Sequence, residues 1–275
     1  ARLEGSPAAS LPLPPGIQVA FNHRGDSRYR SPLSGRWRQG DDLEALILEA
    51  IRNARREILV AVQELSLPMV AEALAEQHRR GLRVQVVLEN TYSTPWSEQH
   101  PVDLSPHQRQ RVAQLRALGH GDAVAILRRA GVPMLDDTAD GSAGSGLMHH
   151  KFLVADRSVV VTGSANFSPS CIHGDGDDPR TRGNVNHLLR LESAALASLF
   201  AEEHARMWGD GPGGQPDSRF GLAKQGGPAR RVQVGDTVVE VLFAPHRRRD
   251  PHHGLRWLQQ HLAASRRQLD LALFV

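Results

Sequence analysis

His149, Lys151, Ser164 and Asn166 stand in one short stretch, LMHHKFLVADRSVVVTGSANFS (147–168). Together they offer an imidazole, an ammonium, a hydroxyl and a carboxamide. That set suits a phosphodiester. Imidazole attacks phosphorus or transfers a proton near neutral pH. A lysine supplies fixed positive charge for the non-bridging oxygens, and Ser and Asn supply neutral donors to the same atoms. None of these steps requires a metal. The 14 His, including His252-His253, contain no spacing such as HExxH, so neither a metal nor another cofactor is expected.

The stretch reads as a β-hairpin. KFLVA and VVV are β-rich, and Asp156-Arg157 between them has the length of a two-residue turn. Pairing across that turn sets Ala155 opposite Ser158, Leu153 opposite Val160, Lys151 opposite Thr162 and His149 opposite Ser164. Because opposed residues share a face and the period is two, His149, Lys151, Thr162, Ser164 and Asn166 should project from one face. His150, Phe152, Val154, Val159 and Val161 should project from the other, a natural core face. A lone HxK on a strand is more often an edge pair. Five converging polar groups in a core would go unsatisfied, so a cleft is the better reading. Gly163 would let the backbone approach a ligand. Asp156, at the turn and out of phase with the polar face, reads as a structural carboxylate that pairs with Arg157 or caps the turn.

The spacing H-x-K-x4-D-x6-G-S-x-N, here His149, Lys151, Asp156, Gly163, Ser164 and Asn166, resembles the signature of the phospholipase D superfamily. The resemblance implies a phospholipase D-like fold and a two-motif, bacterial-type member whose first half this chain holds. It implies hydrolysis or transfer of a phosphodiester through a covalent phospho-histidine, with a second imidazole protonating the leaving oxygen. His149, Lys151 and Asp156 would form the catalytic set, with Lys151, Ser164 and Asn166 on the phosphate. Whether His149 is nucleophile or general acid stays open. The second motif would come from a later repeat or, as the weaker alternative, from a homodimer partner. Many relatives carry an N-x-E-N acid that orients an imidazole. Here the segment is Asn184-Val185-Asn186-His187, and Asn186, which stabilises an imidazolium less than a carboxylate does, occupies that place.

The elements that must position these residues alternate. Strands are expected at 17–22, 57–63, 83–89, 132–135 and 185–191. Helices are expected at 42–56, 68–80 and 193–208, with one or two more in 106–130. This order predicts an α/β fold, a mixed and largely parallel sheet flanked by helices. Residues 1–16, small and Pro-rich, read as a flexible leader of the kind left after a signal segment is removed, which favours export or a periplasmic location, with a cytoplasmic one as the alternative. Residues 17–208 form the phospholipase D-like domain and 209–229 a Gly/Pro-rich linker. Residues 230–275 then read as the truncated start of a second such domain. In it, 238–245 echoes 17–23, and SRRQLDLALFV (265–275) matches ARREILVAVQE (54–64) at a constant offset that also sets Leu258 on Ile47 and Leu262 on Ile51.

Composition narrows the substrate less. The 275 residues are 40% hydrophobic and 23% charged with net charge +3, an ordinary globular balance. No apolar run approaches the roughly 18–20 residues of a membrane span. The single Cys171 excludes an intrachain disulfide. Aromatics are only 5%, thin for a groove that stacks nucleic-acid bases. Tyr92, Trp96, Leu147 and Met148 could form an apolar rim, so a phospholipid is favoured slightly over nucleic acid. A metal-independent endonuclease and a non-catalytic phosphate-binding module are the alternatives, the latter favoured by Asn186. The basic run HRRRD (246–250) reads as solvated surface.

Overall fold

The computed structural model describes residues 12–144, 146–174 and 183–270. Most of the expected leader, part of the loop at 168–183 and the end of the last expected strand lie outside the described residues.

Local signals set each element. β1 (Ile17–Phe21) is followed by a small pair, β2 (Arg28–Arg30) and β3 (Trp37–Gln39). The Asp42 carboxylate accepts from Ala45 N and caps α1 (Leu43–Asn53), whose Leu43, Ile47, Ala50 and Ile51 are buried on one stripe. Every residue of β4 (Glu57–Val62) is buried, as a central strand covered on both faces requires. α2 (Pro68–Arg79) opens on proline, β5 (Arg83–Leu88) follows, and Ser105 and Gln108 form a reciprocal capping box on α3 (Pro106–Ala117). Asp122 caps α4 (Ala123–Arg129), which leads to β6 (Met134–Asp136). The hairpin β7 (Lys151–Ala155) and β8 (Val159–Gly163) comes next, then the short α5 (Pro169–Ile172). β9 (His187–Glu192) and α6 (Ala194–Trp208), capped by Ser193, complete this part.

The main sheet runs β1-β9-β8-β7-β4-β5-β6. It is mixed and helix-flanked, as expected, with two of its six strand pairs parallel and four antiparallel. β4, β5 and β6 are parallel, while β7, β8, β9 and β1 each pair antiparallel to their neighbours. One apolar core lies between the sheet and α1, α2 and α4; a second lies under α6 on the opposite face. The chain after β4 moves one way, to β5 and β6, while β7 flanks β4 on the other side. In open α/β sheets such a divergence leaves a crevice at the strand ends.

The hairpin register differs from the one expected. Asp156 and Arg157 do form the turn, both at positive φ (53° and 52°), and Ser158 N donates to Ala155 O at 3.0 Å. Pairing then resumes with Val159, not Ser158, opposite Ala155, and puts Phe152 opposite Thr162. Ser158 is one extra residue in the second strand, and a one-residue slip sends each side chain of that strand to the other face. Val161 therefore joins Leu153 in the core under α1, and Val160 joins Phe152 and Val154 under α6. Thr162 leaves the Lys151 face, and its hydroxyl donates to Lys151 O at 3.0 Å.

The Gly/Pro-rich segment 209–229 packs on the body. Phe220 and Ser218 are buried, Ser218 N donates to the Asp140 carboxylate, and Arg219 N donates to Arg206 O at 2.9 Å. β10 (Arg230–Val234) and β11 (Thr237–Val241) pair with each other and add Val232, Val239 and Val241 to the core under α6. α7 (Gly254–Ala264) has no buried residue. Its Leu258 is 47% exposed, whereas Ile47, its counterpart in the sequence repeat, is fully buried. Residues 265–270 form no strand, and 271–275 are outside the described residues.

Candidate active site

The polar cluster assembles where β4 ends, β7 begins and β8 has just ended. Beyond β8 the chain crosses to β4's own continuation: Phe167 N donates to Glu64 O at 3.0 Å and Ser66 N donates to Phe167 O at 2.8 Å. Gln63, first residue past β4, lies between the two motif halves. Its Oε1 accepts from Asn166 Nδ2 at 3.2 Å and, at a long 3.4 Å, from Lys151 Nζ. Lys151 Nζ also donates to His149 O at 3.1 Å. The structure thus joins Lys151 and Asn166 through a residue that the sequence pattern did not mark, and Lys151 in turn holds the backbone of His149.

The electrostatics favour an anion. Lys151 is partly buried, its partners are carbonyl oxygens, and among the described residues no carboxylate forms an ion pair with it. Burial pushes its ammonium down to about 8, against a weaker pull from Glu64. A cation left with only neutral partners is the better placed to bind phosphate. Burial, then the neighbouring charges of Lys151 and His150, hold the His149 imidazole below 6.5. The direction of the shift favours the neutral base that a nucleophile must be. Among the described residues Asn166 Oδ1 is a buried acceptor without a partner, open to a hydrogen-bond donor.

His149 sits in the segment leading into β7, and a buried carboxylate sets its approach. Asp137, 0% exposed, accepts from Met148 N and from Asn90 N, both at 2.9 Å. It ties the chain just before His149 to the exits of β5 and β6. Leu147 holds φ at 36°, a left-handed conformation costly for a bulky residue, and is half exposed.

Ser164 is held differently from expectation. Its Oγ donates to Asn186 Oδ1 at 2.9 Å, accepts from His187 N at 3.1 Å and lies 3.2 Å from His187 Nδ1. With these partners its hydroxyl hydrogen is engaged inside the protein, so donation to a phosphate requires the hydroxyl to rotate. Asn186 is buried. Its Nδ2 donates to Cys171 O and Asn184 O, and its backbone N–H donates to Asn22 Oδ1. It orients Ser164, not the His149 ring. Asn184 contributes mainly its carbonyl, which also accepts from Asn22 Nδ2 at 2.8 Å.

Two further residues depart from their expected roles. A Cβ on Gly163 would stand 2.2 Å from His187 O, so the glycine answers to the close approach of β9 and not to a ligand. Asp156 lies at the far end of the hairpin, about 15 Å from the start of β7 at roughly 3.3 Å per residue, and is no member of the catalytic cluster. Its carboxylate accepts from the backbone N–H of Arg55, Arg56 and Glu57 at 2.8, 2.7 and 3.1 Å. It clamps the start of β4. Arg157 pairs with Glu57 instead of with Asp156.

Two cavities flank the cluster. One, of about 440 Å³, is lined by Leu147, Met148, His149 and His150 with Phe220 and Phe243. The other, of about 200 Å³, holds Asn166, Asn184, Glu64, Tyr92 and Arg111. Arg111 pairs with Glu64 at 2.9 Å and lies 4.8 Å over the Tyr92 ring. Trp96 lines neither cavity, so the expected rim is split: Leu147 and Met148 on one side, Tyr92 on the other. Gln63, Asp137 and His187 are the site residues that sequence reasoning missed. Only His187, inside the Asn184–His187 segment, had any local signal.

Comparison with known proteins identifies the family. Residues 47–208 match the family described as cardiolipin synthase, PLD-like domain. The chain is 27% identical to the mitochondrial cardiolipin hydrolase of Canis lupus familiaris over 169 residues, 62% of this chain and 52% of that protein. It is likewise 27% identical to that of Mus musculus over 162 residues, 59% and 56% of the two chains. It therefore spans about half the length of these curated relatives. Among solved structures it is similar to Nuc from Salmonella typhimurium, a phospholipase D family member, with TM-score 0.44, 20% identity and coverage of 71% of this chain and 95% of that one. NucT from Helicobacter pylori follows, with TM-score 0.42, 16% identity and coverage of 70% and 95%.

Proposed function

This chain belongs to the phospholipase D-like domain family, and from that premise we propose that it cleaves or transfers a phosphodiester through a phospho-histidine on His149. The observation that carries the reading is the Lys151 ammonium beside His149, without a carboxylate partner among the described residues and joined through Gln63 to Asn166, where burial favours the neutral imidazole. A ring nitrogen of His149 attacks phosphorus and the bond to the leaving oxygen breaks. That oxygen takes a proton from a second imidazole. Water, or an alcohol in transfer, then attacks phosphorus, gives its proton to the second imidazole and releases His149. Lys151 offsets charge on the non-bridging oxygens throughout. The second imidazole comes from the later repeat or, less favoured, from a second copy of the chain.

A phospholipid is the favoured substrate. The apolar cavity beside His149 supports it, and so do relatives named for cardiolipin hydrolysis. The test uses the full-length protein, a fluorogenic phosphodiester and excess chelator, beside His149→Ala. Turnover that survives chelation and disappears in the variant is expected. Binding of phosphodiesters without turnover would replace this reading with that of a phosphate-binding module.

A further inference from the structure

The larger cavity is walled by segments that the catalytic motif does not explain. One wall is the approach to His149, with Leu147 and Met148. Phe200 of α6 lies behind it. The remaining wall comes from two stretches far along the chain, the turn with Phe220 and Gly221 and the bend with Val241, Phe243 and Pro245. These stretches are fastened from within. The Lys224 ammonium donates to the Glu203 carboxylate and to Ala244 O at 3.1 Å, and lies 3.2 Å from His150 Nε2. His150 Nε2 in turn lies 2.9 Å from Glu203 Oε1. The Lys224 side chain is 7% exposed and that of Glu203 1%. An ion pair buried this deeply adds little net stability, but it admits only one arrangement of the pieces it joins. Here it fixes α6, the residue next to His149 and both distal stretches in one geometry.

We propose that this cavity is the subsite for one apolar, alkyl-chain substituent of the phosphodiester, and that Phe220 and Phe243, held in place by the Lys224–Glu203 pair, determine its specificity. The inference rests on the phosphodiesterase reading of the His149 site. Three observations support it. The cavity shares His149 with the reacting cluster, so a substituent on a phosphorus bound there has direct access. Its volume of about 440 Å³ falls in the range of ligand pockets, roughly 300–1,000 Å³. Its lining is mostly apolar and aromatic, its polar members being Thr162, the two imidazoles and one ammonium that is already paired with Glu203, so nothing in it calls for a second anionic group. Phe200, Phe243 and His150 meet edge to face, with ring centroids 5.2 and 6.0 Å apart, which makes the wall a packed surface. The smaller cavity, with Glu64, Arg111 and Asn184, has the polar character of the opposite side.

The test is calorimetric binding of methyl phosphate, octyl phosphate and adenosine 5′-monophosphate to the full-length protein, independent of turnover. Octyl phosphate is expected to bind roughly tenfold or more tighter than methyl phosphate, because several methylenes leave water. Phe243→Ala should bring the two ligands to within about threefold of each other. Leu147→Gly, which removes an exposed side chain at the mouth and relaxes a strained φ, should narrow the gap without risk to folding. Equal binding of methyl and octyl phosphate would overturn the proposal, as would an octyl preference that both variants leave intact. A preference for the nucleotide that Phe243→Ala abolishes would assign the cavity to a base instead. Loss of turnover on the fluorogenic diester bears on the catalytic reading alone, since the chain-length preference is read from binding.

Discussion

Lys151 sits where a cation is least comfortable and most useful. Burial lowers it from 10.5 to about 8, so the folded protein disfavours its charge. Phosphodiester affinity should then fall as pH rises through about 8, where the free site loses its proton. Dimethyl phosphate, singly charged across this range, is the ligand with which to measure it, and Lys151→Arg should remove the alkaline limb. The stability sign runs the other way. Between about pH 8 and 10.5 the unfolded chain retains a proton that the folded chain has released, so stability rises with pH over that window. Lys151→Met should stabilise the protein by about 1–2 kcal/mol at neutral pH after allowance for partial solvent screening, while abolishing anion binding. Asn186→Ala tests the neighbouring network. It strips Ser164 Oγ of its acceptor and leaves Cys171 O and Asn184 O without that donor. A loss of about 1–3 kcal/mol in chemical denaturation is expected, with a fall in kcat larger than any change in KM.

The hairpin β7–β8 is the element that carries the motif, and its two ends do different work. At one end Lys151 and the chain beyond Gly163 meet Gln63. At the other, Asp156 receives three backbone N–H groups from the start of β4 and thereby sets how the hairpin abuts the central strand. Asp156→Ala should cost about 2–3 kcal/mol, since three donors lose a charged acceptor. Asp156→Asn should cost less, because Asn tolerates a positive φ and keeps one acceptor. Activity per folded molecule should stay within about twofold in both; a large fall in kcat with stability intact would return Asp156 to the chemistry.

Across the whole molecule, the two apolar cores are closed by unlike means. α1, α2 and α4 cover one face of the sheet, and α6 with the β10–β11 hairpin covers the other. α7 is amphipathic and has no buried residue, touching the body through Trp257 and His261, which bond to Glu240 of β11. If 230–275 begins a second repeat, Leu258 should be buried in the full-length protein as Ile47 is here. Leu258→Glu is then expected to destabilise the full-length protein by roughly 2–4 kcal/mol, measured by denaturation. A change within about 0.5 kcal/mol, the usual effect of a surface substitution, would reject the repeat.

The sequence by itself determined the motif, the α/β class and the main alternation of strands and helices up to α6, though not β2, β3, α5 or β10. Periodicity and caps are local, so Asp42, Pro68 and the stripe Leu43, Ile47, Ile51 declared α1 and α2 without help from the rest of the chain. Asp156 was legible as a turn residue out of phase with the polar face, but its partners, the backbone N–H groups of Arg55, Arg56 and Glu57, were not. Only the tertiary structure decided the hairpin register, because one extra residue at Ser158 inverts every face after it and leaves no mark in the hydrophobic pattern when Val159, Val160 and Val161 are alike. It alone brought Gln63, Asp137, Glu203 and Lys224 to the motif. Each of these is an unremarkable polar residue along the chain. It acquires a role only when strands and turns distant in sequence are packed together and a buried charge or amide must find its partner.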